Sequence, residues 1–203
     1  HYSTDYVFDG VKSGAYIETD MPNPQSVYGQ TKYDGEKSIK ECKVKHLIFR
    51  TAWVYSKSGT NFIKTIFQLA KKQDKLKVVN DQIGAPTSAE LIADVTALCL
   101  YQIAQYKNSA HNLSGTYHLT PTGETSWHGF AQFIIAEALG LGIKFRTSFE
   151  NVQAIITSDY PLPAKRPSNS LLDAKKLSNT FNLYMPPWQT HVERLIKETY
   201  SQR

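Results

Sequence analysis

Tyr28-Gly29-Gln30-Thr31-Lys32 sets a phenol and an ammonium four residues apart, which on a helix places both on one face. A Lys beside a phenol favours the phenolate and lowers a pKa that starts near about 10. Such a Tyr can exchange a proton with a sugar hydroxyl or a ketone near neutral pH. Spacing alone does not choose this pair. Tyr33 and Lys37 repeat it, and in a chain with 12 tyrosines such pairs arise by chance. Context separates them. The run Ser3-Thr4-Asp5-Tyr6-Val7-Phe8-Asp9-Gly10 closes a strand-like stretch with polar residues, where open α/β sheets carry their chemistry. Thr4 offers a hydroxyl there that can donate to a carbonyl or hydroxyl oxygen.

The elements that must position these groups alternate in period, which reads as an α/β fold with a parallel sheet in its first half. Strands are expected over residues 2–8, 45–51, 76–79 and 116–120, and helices over 26–42, 61–73, 88–104 and from Thr125 or Ser126 through 139. Ser88 is the expected cap of the third helix, with Leu91, Ile92, Val95, Leu98 and Cys99 as its apolar stripe. Beyond about residue 151 the chain is loop-rich, with Pro161, Pro163 and Pro167, and two helical pieces follow near 172–179 and 190–201. The division expected is residues 1–80 as the later part of a nucleotide-binding domain. Residues 81–203 would be mainly a smaller, mixed substrate-binding region, with some elements returning to the first.

Composition excludes several classes of function. With 23 basic and 18 acidic residues the net charge is a mild +5, with no basic arm or stripe, so nucleic-acid binding is not expected. No apolar run is long enough to span a membrane. Cys42 and Cys99 stand apart and the six histidines never fall at ligand spacing, which disfavours zinc and a disulfide and favours the cytoplasm. A GxGxxG turn, a Walker loop and a GxSxG elbow are all missing; Gly140-Leu141-Gly142 follows a helix instead of opening one.

The run 3–10, Val27-Tyr28-Gly29-Gln30-Thr31-Lys32 and Gly35-Glu36 occur together with four longer motifs. These are Phe49-Arg50-Thr51-Ala52-Trp53-Val54-Tyr55, Asn80-Asp81-Gln82-Ile83-Gly84-Ala85-Pro86-Thr87, Gly115-Thr116-Tyr117-His118-Leu119 and Arg166-Pro167-Ser168-Asn169-Ser170-Leu171-Leu172-Asp173. In that order they resemble the extended short-chain dehydrogenase/reductases, and within them the dTDP-4-dehydrorhamnose reductases, along the whole chain.

The resemblance implies a truncated Rossmann-like parallel sheet with a smaller mixed α/β substrate-binding region. It implies NADPH- or NADH-dependent reduction of the 4-keto group of a dTDP-linked 6-deoxyhexulose. Tyr28 would be the general acid, Lys32 would hold the nicotinamide ribose, and Thr4 would bond to the reacting oxygen. Asp5, Tyr6 and Trp53 would line the sugar pocket. Asn80, Gln82 and Arg166 would hold the nucleotide sugar, Arg166 through a diphosphate oxygen. A homodimer with Mg at its interface is a further implication, with Glu90 the residue placed for it, although an exposed first-turn Glu is the simpler reading.

Two other readings stand beside the reductase. One is a non-catalytic regulatory subunit resembling that of methionine adenosyltransferase. The other is a different nucleotide-sugar reductase or epimerase. The family's Gly-rich turn precedes the segment matched here, so about the first third of such an enzyme is expected to be absent and the exposed sheet edge to favour self-association. The polypeptide by itself is then expected to bind cofactor weakly and not to turn over; calorimetric titration with NADPH tests this, and micromolar binding would contradict it.

Overall fold

A computed structural model describes residues 1–105, 113–161 and 166–200; His111, Pro163 and Ser201 lie outside them. Three parallel strands, β1 (Tyr2–Thr4), β2 (Leu47–Thr51) and β7 (Gly115–His118), form a sheet in the order β1-β2-β7. Helix α1 (Val27–Glu41) covers one face of it, and α3 (Ala89–Gln105) with α5 (Lys175–Phe181) the other. Alternation along the strands sorts the side chains between the faces. Phe49 and Tyr117 join Leu91, Val95, Leu177 and Phe181 in one core. Ser3, Arg50 and His118, in register across all three strands, point the other way.

That row is polar because α1 delivers Glu36 to it. Glu36 is fully buried and Arg50 is 2% exposed. Arg50 donates to both carboxylate oxygens, Nε to Oε1 at 2.8 Å and Nη2 to Oε2 at 2.6 Å, and the Ser3 hydroxyl donates to Oε1 at 2.5 Å. Burial alone would raise the Glu36 pKa; the Arg50 hydrogen bonds and charge, with Ser3, outweigh it and hold the carboxyl below its usual range. Arg50 also lies over the Phe8 ring, 5.0 Å from its centroid, and Phe8 stacks on Tyr16.

The remaining strands form two-stranded pairs. The pair β4 (Leu76–Val79) with β9 (Val152–Ile155) is parallel, as is β3 (Val54–Tyr55) with β6 (Thr87–Ser88). The pair β5 (Ile83–Gly84) with β8 (Thr125–Ser126) is antiparallel. The largest core lies between α2 (Phe62–Lys72), α4 (Trp127–Gly140), α6 (Trp188–Tyr200) and the β4–β9 pair. Residue 80 therefore does not divide the hydrophobic cores, because α2 and β4 precede it and pack with elements that follow it. In the other direction, β7 returns from beyond residue 80 to complete the first sheet.

The expected α/β architecture and its parallel strands are present. Most elements lie where periodicity puts them, and the capping hydroxyls of Ser88 and Ser126 each accept an N–H three residues on. Three local readings need correction. The first strand stops at Thr4, because the Thr4 hydroxyl accepts the Tyr6 N–H at 3.2 Å and turns residues Asp5–Val7 into a single 3₁₀ turn. Leu98 flanks the buried stripe of α3 and is 48% exposed. The penultimate helix begins at Lys175, not 172, because Leu172 bridges to Tyr16.

Removing one member of the Glu36–Arg50 pair strands the other charge in the core. Glu36→Ala or Arg50→Ala is expected to cost about 3–5 kcal/mol in urea denaturation. The apolar double replacement Glu36→Leu/Arg50→Met should cost less than either single change.

Candidate active site

The face of α1 that carries Glu36 also carries Lys32 one turn earlier and Tyr28 a turn before that, in an i, i+4, i+8 series. Docking Glu36 into the sheet thus lays the other two along β1. Lys32 Nζ donates to the Tyr2 carbonyl at 2.7 Å. The Tyr28 ring meets the Tyr6 ring edge-on, with centroids 5.7 Å apart, and is 54% exposed. Ser26 caps the helix through the Gly29 N–H at 3.1 Å. Gly29 permits the approach: a Cβ there would overlap the Tyr6 carbonyl oxygen and stand 3.2 Å from the Pro24 Cβ.

Next to Tyr6 in the chain lie Thr4 and Asp5, each 5% exposed. The Thr4 hydroxyl is 2.9 Å from Asp5 Oδ1. Burial raises the Asp5 pKa to about 6, with the Ser170 and Thr4 hydroxyls pulling partly against it. Ser170 acts here by proximity only, since Asp5 Oδ2 makes no hydrogen bond that satisfies ordinary geometry. Burial, and then the Asp5 charge, raises the Tyr6 phenol pKa as well, while Arg166 opposes it.

Arg166 borders a small hollow together with Tyr6, Phe8 and Ser26. It also lines a cleft of about 1200 Å³ with Gln82, Phe62, Trp127 and Tyr160. Gln82 is buried in the cleft wall and donates to Thr157 Oγ1 at 3.1 Å.

Thr4, Asp5, Tyr6, Tyr28 and Lys32 are therefore brought together, and Arg166 and Gln82 share the adjoining cleft. Two expected substrate residues, Asn80 and Trp53, are not among those that line the cleft. Asn80 is held outside the cleft lining, its Oδ1 accepting from Ser126 Oγ at 2.6 Å. Trp53 stacks on Trp127, with centroids 3.7 Å apart, and adopts φ 50°. Its indole lies where a Cβ on Gly84 would come within 2.5 Å. A left-handed conformation is costly for a bulky residue, and here the stack and the gap over Gly84 hold it. The competing pair Tyr33/Lys37 is a surface arrangement, with Lys37 5.1 Å from the Tyr33 ring centroid and paired with Asp34 at 2.7 Å.

Sequence reasoning did not single out the Glu36–Arg50 anchor; the signal for it was Glu36 continuing the Tyr28, Lys32 series. Glu90 faces Arg194 at 4.0 Å, and no cluster of three His, Cys, Asp or Glu arranged for a metal occurs among the described residues. The described residues of this chain therefore offer no ready ligand set for the Mg implied by the resemblance.

A family model described as the RmlD substrate binding domain matches residues 1–201. The dTDP-4-dehydrorhamnose reductase of Escherichia coli K12 is 45% identical over 201 residues, covering 99% of this chain and 65% of the relative. The Shigella flexneri enzyme of the same name is likewise 45% identical, over 99% of this chain and 65% of its own length. Among solved structures, a dTDP-4-dehydrorhamnose reductase from Bacillus anthracis in complex with NADP superposes with a TM-score of 0.82. It is 37% identical, covering 98% of this chain and 65% of that one. The chain spans 65% of the length of these relatives.

The Gly29 contact yields a direct expectation. Gly29→Ala must push the first turn of α1 off the Tyr6 carbonyl, at a cost of about 1–3 kcal/mol. Thermal or urea unfolding measures it, and wild-type stability in that variant would contradict the close approach.

Proposed function

The chain belongs to the RmlD substrate binding domain family, and on that premise we propose that it supplies the proton-transfer and sugar-binding groups of an NAD(P)H-dependent reductase. The reaction is reduction of the 4-keto group of dTDP-4-dehydrorhamnose to give dTDP-L-rhamnose, within nucleotide-sugar and cell-surface polysaccharide biosynthesis. The observation that carries this reading is the placement of Lys32 and Tyr28 along β1, Lys32 on the Tyr2 carbonyl at its start and Tyr28 against Tyr6 just past Thr4 at its end, on a helix held by the buried Glu36. A reduced nicotinamide dinucleotide, when bound, supplies the hydride.

The chain's own residues supply the rest. Tyr28, exposed on the first turn of α1, gives its phenolic proton to the oxygen of the reacting carbonyl. Lys32 sits one turn on, where its ammonium can stabilise the resulting phenolate and take the ribose end of the dinucleotide. Thr4 donates a hydrogen bond to the same oxygen from below. Arg166 is the group for a diphosphate oxygen, whose two-pronged recognition suits a guanidinium. Its place in the wall of the cleft, shared with Gln82, supports this. Trp53 and Tyr6 bound the sugar, and Asp5 underlies it.

NADPH and NADH both remain in the proposal, because the residues that bind Tyr28's end of the dinucleotide do not distinguish them. Among the described residues β1 is the outermost strand of its sheet, and association of the protein with a second copy belongs to the same proposal. Both cysteines are free, and no helix among the described residues is long and apolar enough to cross a membrane. We place the protein in the cytoplasm on the cysteines. A non-catalytic, partner-binding role is the less supported reading, since it needs none of this convergence.

In the natural full-length protein, Tyr28→Phe is expected to cut turnover of dTDP-4-dehydrorhamnose by roughly 10²–10⁴ while leaving sugar binding near wild type. Steady-state kinetics with NADPH checks this, and an unchanged rate would refute the role given to Tyr28.

A further inference from the structure

We propose that Asp5 is a positioning residue whose proton sets the direction of the Thr4 hydroxyl. When Asp5 is protonated, Thr4 donates to a ketone oxygen; when it is ionised, Thr4 accepts from an alcohol. This rests on the reading of Thr4 and Tyr28 as the proton-handling side of a ketone reductase.

The case is one of counting hydrogen-bond capacity. A Thr hydroxyl has one proton and two lone pairs. At Thr4 one lone pair is taken by the Tyr6 N–H at 3.2 Å. The second contact is Asp5 Oδ1 at 2.9 Å. If Asp5 is ionised it can only accept, so Thr4 must spend its single proton there. Thr4 is then left with one free lone pair, which suits the O–H of an alcohol and cannot bond a ketone oxygen. If Asp5 carries a proton, the carboxyl donates to Thr4. Both lone pairs are then filled and the hydroxyl proton is free for the ketone.

The surroundings of Asp5 suit a carboxyl that keeps its proton. It is 5% exposed, and Oδ2 has no hydrogen-bond partner. An ionised oxygen left in that state is far more costly than a neutral one. Among the described residues no basic side chain bonds to it. From its own turn it is faced by Tyr6, from α1 by Tyr28 behind Tyr6, and from the segment after residue 165 by the Ser170 hydroxyl. The Arg166 charge from the same segment is felt at Tyr6, and across the strand pair Thr51 stands opposite Thr4 without charge. The pKa of Asp5, pushed up to about 6 by burial, is near enough to neutrality for a ligand to decide its state.

The proton does not leave Asp5 during the reaction. Tyr28 supplies the proton that the product alcohol keeps, and Asp5 only orients Thr4. Its proton is taken from solvent when the ketone binds and is returned once the alcohol has formed.

The test uses the natural full-length protein and two ligands, dTDP-4-dehydrorhamnose without reduced cofactor and dTDP-L-rhamnose. Calorimetric titrations at pH 7.5 in buffers of different ionisation enthalpy count the protons exchanged. The ketone should bind with uptake of about one proton and the alcohol with about none. Asp5→Asn, whose amide N–H donates to Thr4 permanently, should bind the ketone with no uptake and bind the alcohol less tightly than wild type. In kinetics, wild-type kcat/KM for ketone reduction should fall as pH rises above about 6, and Asp5→Asn should lack that fall. Ketone binding to wild type without proton uptake overturns the proposal, and that measurement decides alone if Asp5→Asn does not fold. An unchanged pH profile in a folded Asp5→Asn also overturns it. Failure of wild type to bind either sugar overturns the reductase reading first and this proposal with it.

Discussion

The site depends on one buried ion pair. Glu36 and Arg50 lie within the interface between α1 and the sheet, and their bidentate contact leaves little freedom in how the helix docks. An apolar pair of the same volume would bring comparable or greater stability. It would also tolerate small slides and rotations of the helix. We read the charged pair as fixing orientation: a slide of α1 along β1 by one residue breaks both hydrogen bonds and leaves two charges buried. Ser3 and His118, in line with Arg50 across the strands, complete the row. His118 must then stay neutral, and burial, followed by the Arg50 charge, takes its pKa down to about 3. The Glu36 and Asp173 charges pull the other way without reversing the shift.

What the anchor fixes is a sequence of helical turns. Lys32 and Tyr28 precede Glu36 by one and two turns on the same face, so the position of Glu36 determines theirs to within side-chain freedom. The opposite wall is set by a different device. The Thr4 hydroxyl ends β1 by capping the 3₁₀ turn, which swings Tyr6 toward α1 and brings its carbonyl against Gly29. Any side chain at 29 would separate the two walls. Ion pair, turn and glycine each hold one coordinate of the same site, which is why residues far from any reacting atom bear on it.

Much of this was legible in the sequence, and the limits have physical causes. Periodicity located α1, α2, α3 and β4, and the capping Ser88, because these features are local; ahead of α4 it left Thr125 and Ser126 both open, and Ser126 takes the cap. The Tyr28/Lys32 pair could not be told from Tyr33/Lys37 by spacing; the longer motifs around Thr4 made the choice, and the structure shows Lys37 paired at the surface. The pairing of β4 with β9 joins strands more than seventy residues apart and leaves no local trace, so a cut at residue 80 looked reasonable although the cores do not respect it. Asn80 read as a ligand-binding residue beside Gln82. Its carbonyl instead holds Ser126 at the start of α4, a long-range contact of a kind that composition and spacing cannot show. The strain at Trp53 was not legible, since its φ depends on Trp127 and Gly84 arriving from other segments.

The distribution of burial across the site carries a last step. Thr4 and Asp5 are almost completely enclosed, while Tyr28 is more than half exposed. Enclosed groups cannot reorganise independently, so on the proposed reading the proton on Asp5 and the direction of the Thr4 hydroxyl have to change together. Water cannot compensate a wrongly turned hydroxyl there. An exposed phenol can recover its proton from solvent directly after each transfer. On the proposed reading the labour divides by position: the buried pair recognises the oxidation state of the oxygen, and the exposed tyrosine moves the proton. Arg50 and Glu36 stay ionised in the core because they neutralise each other, whereas Asp5 has no cation paired with it among the described residues. The same low dielectric that fixes the first pair as charged therefore leaves the second site poised between protonation states.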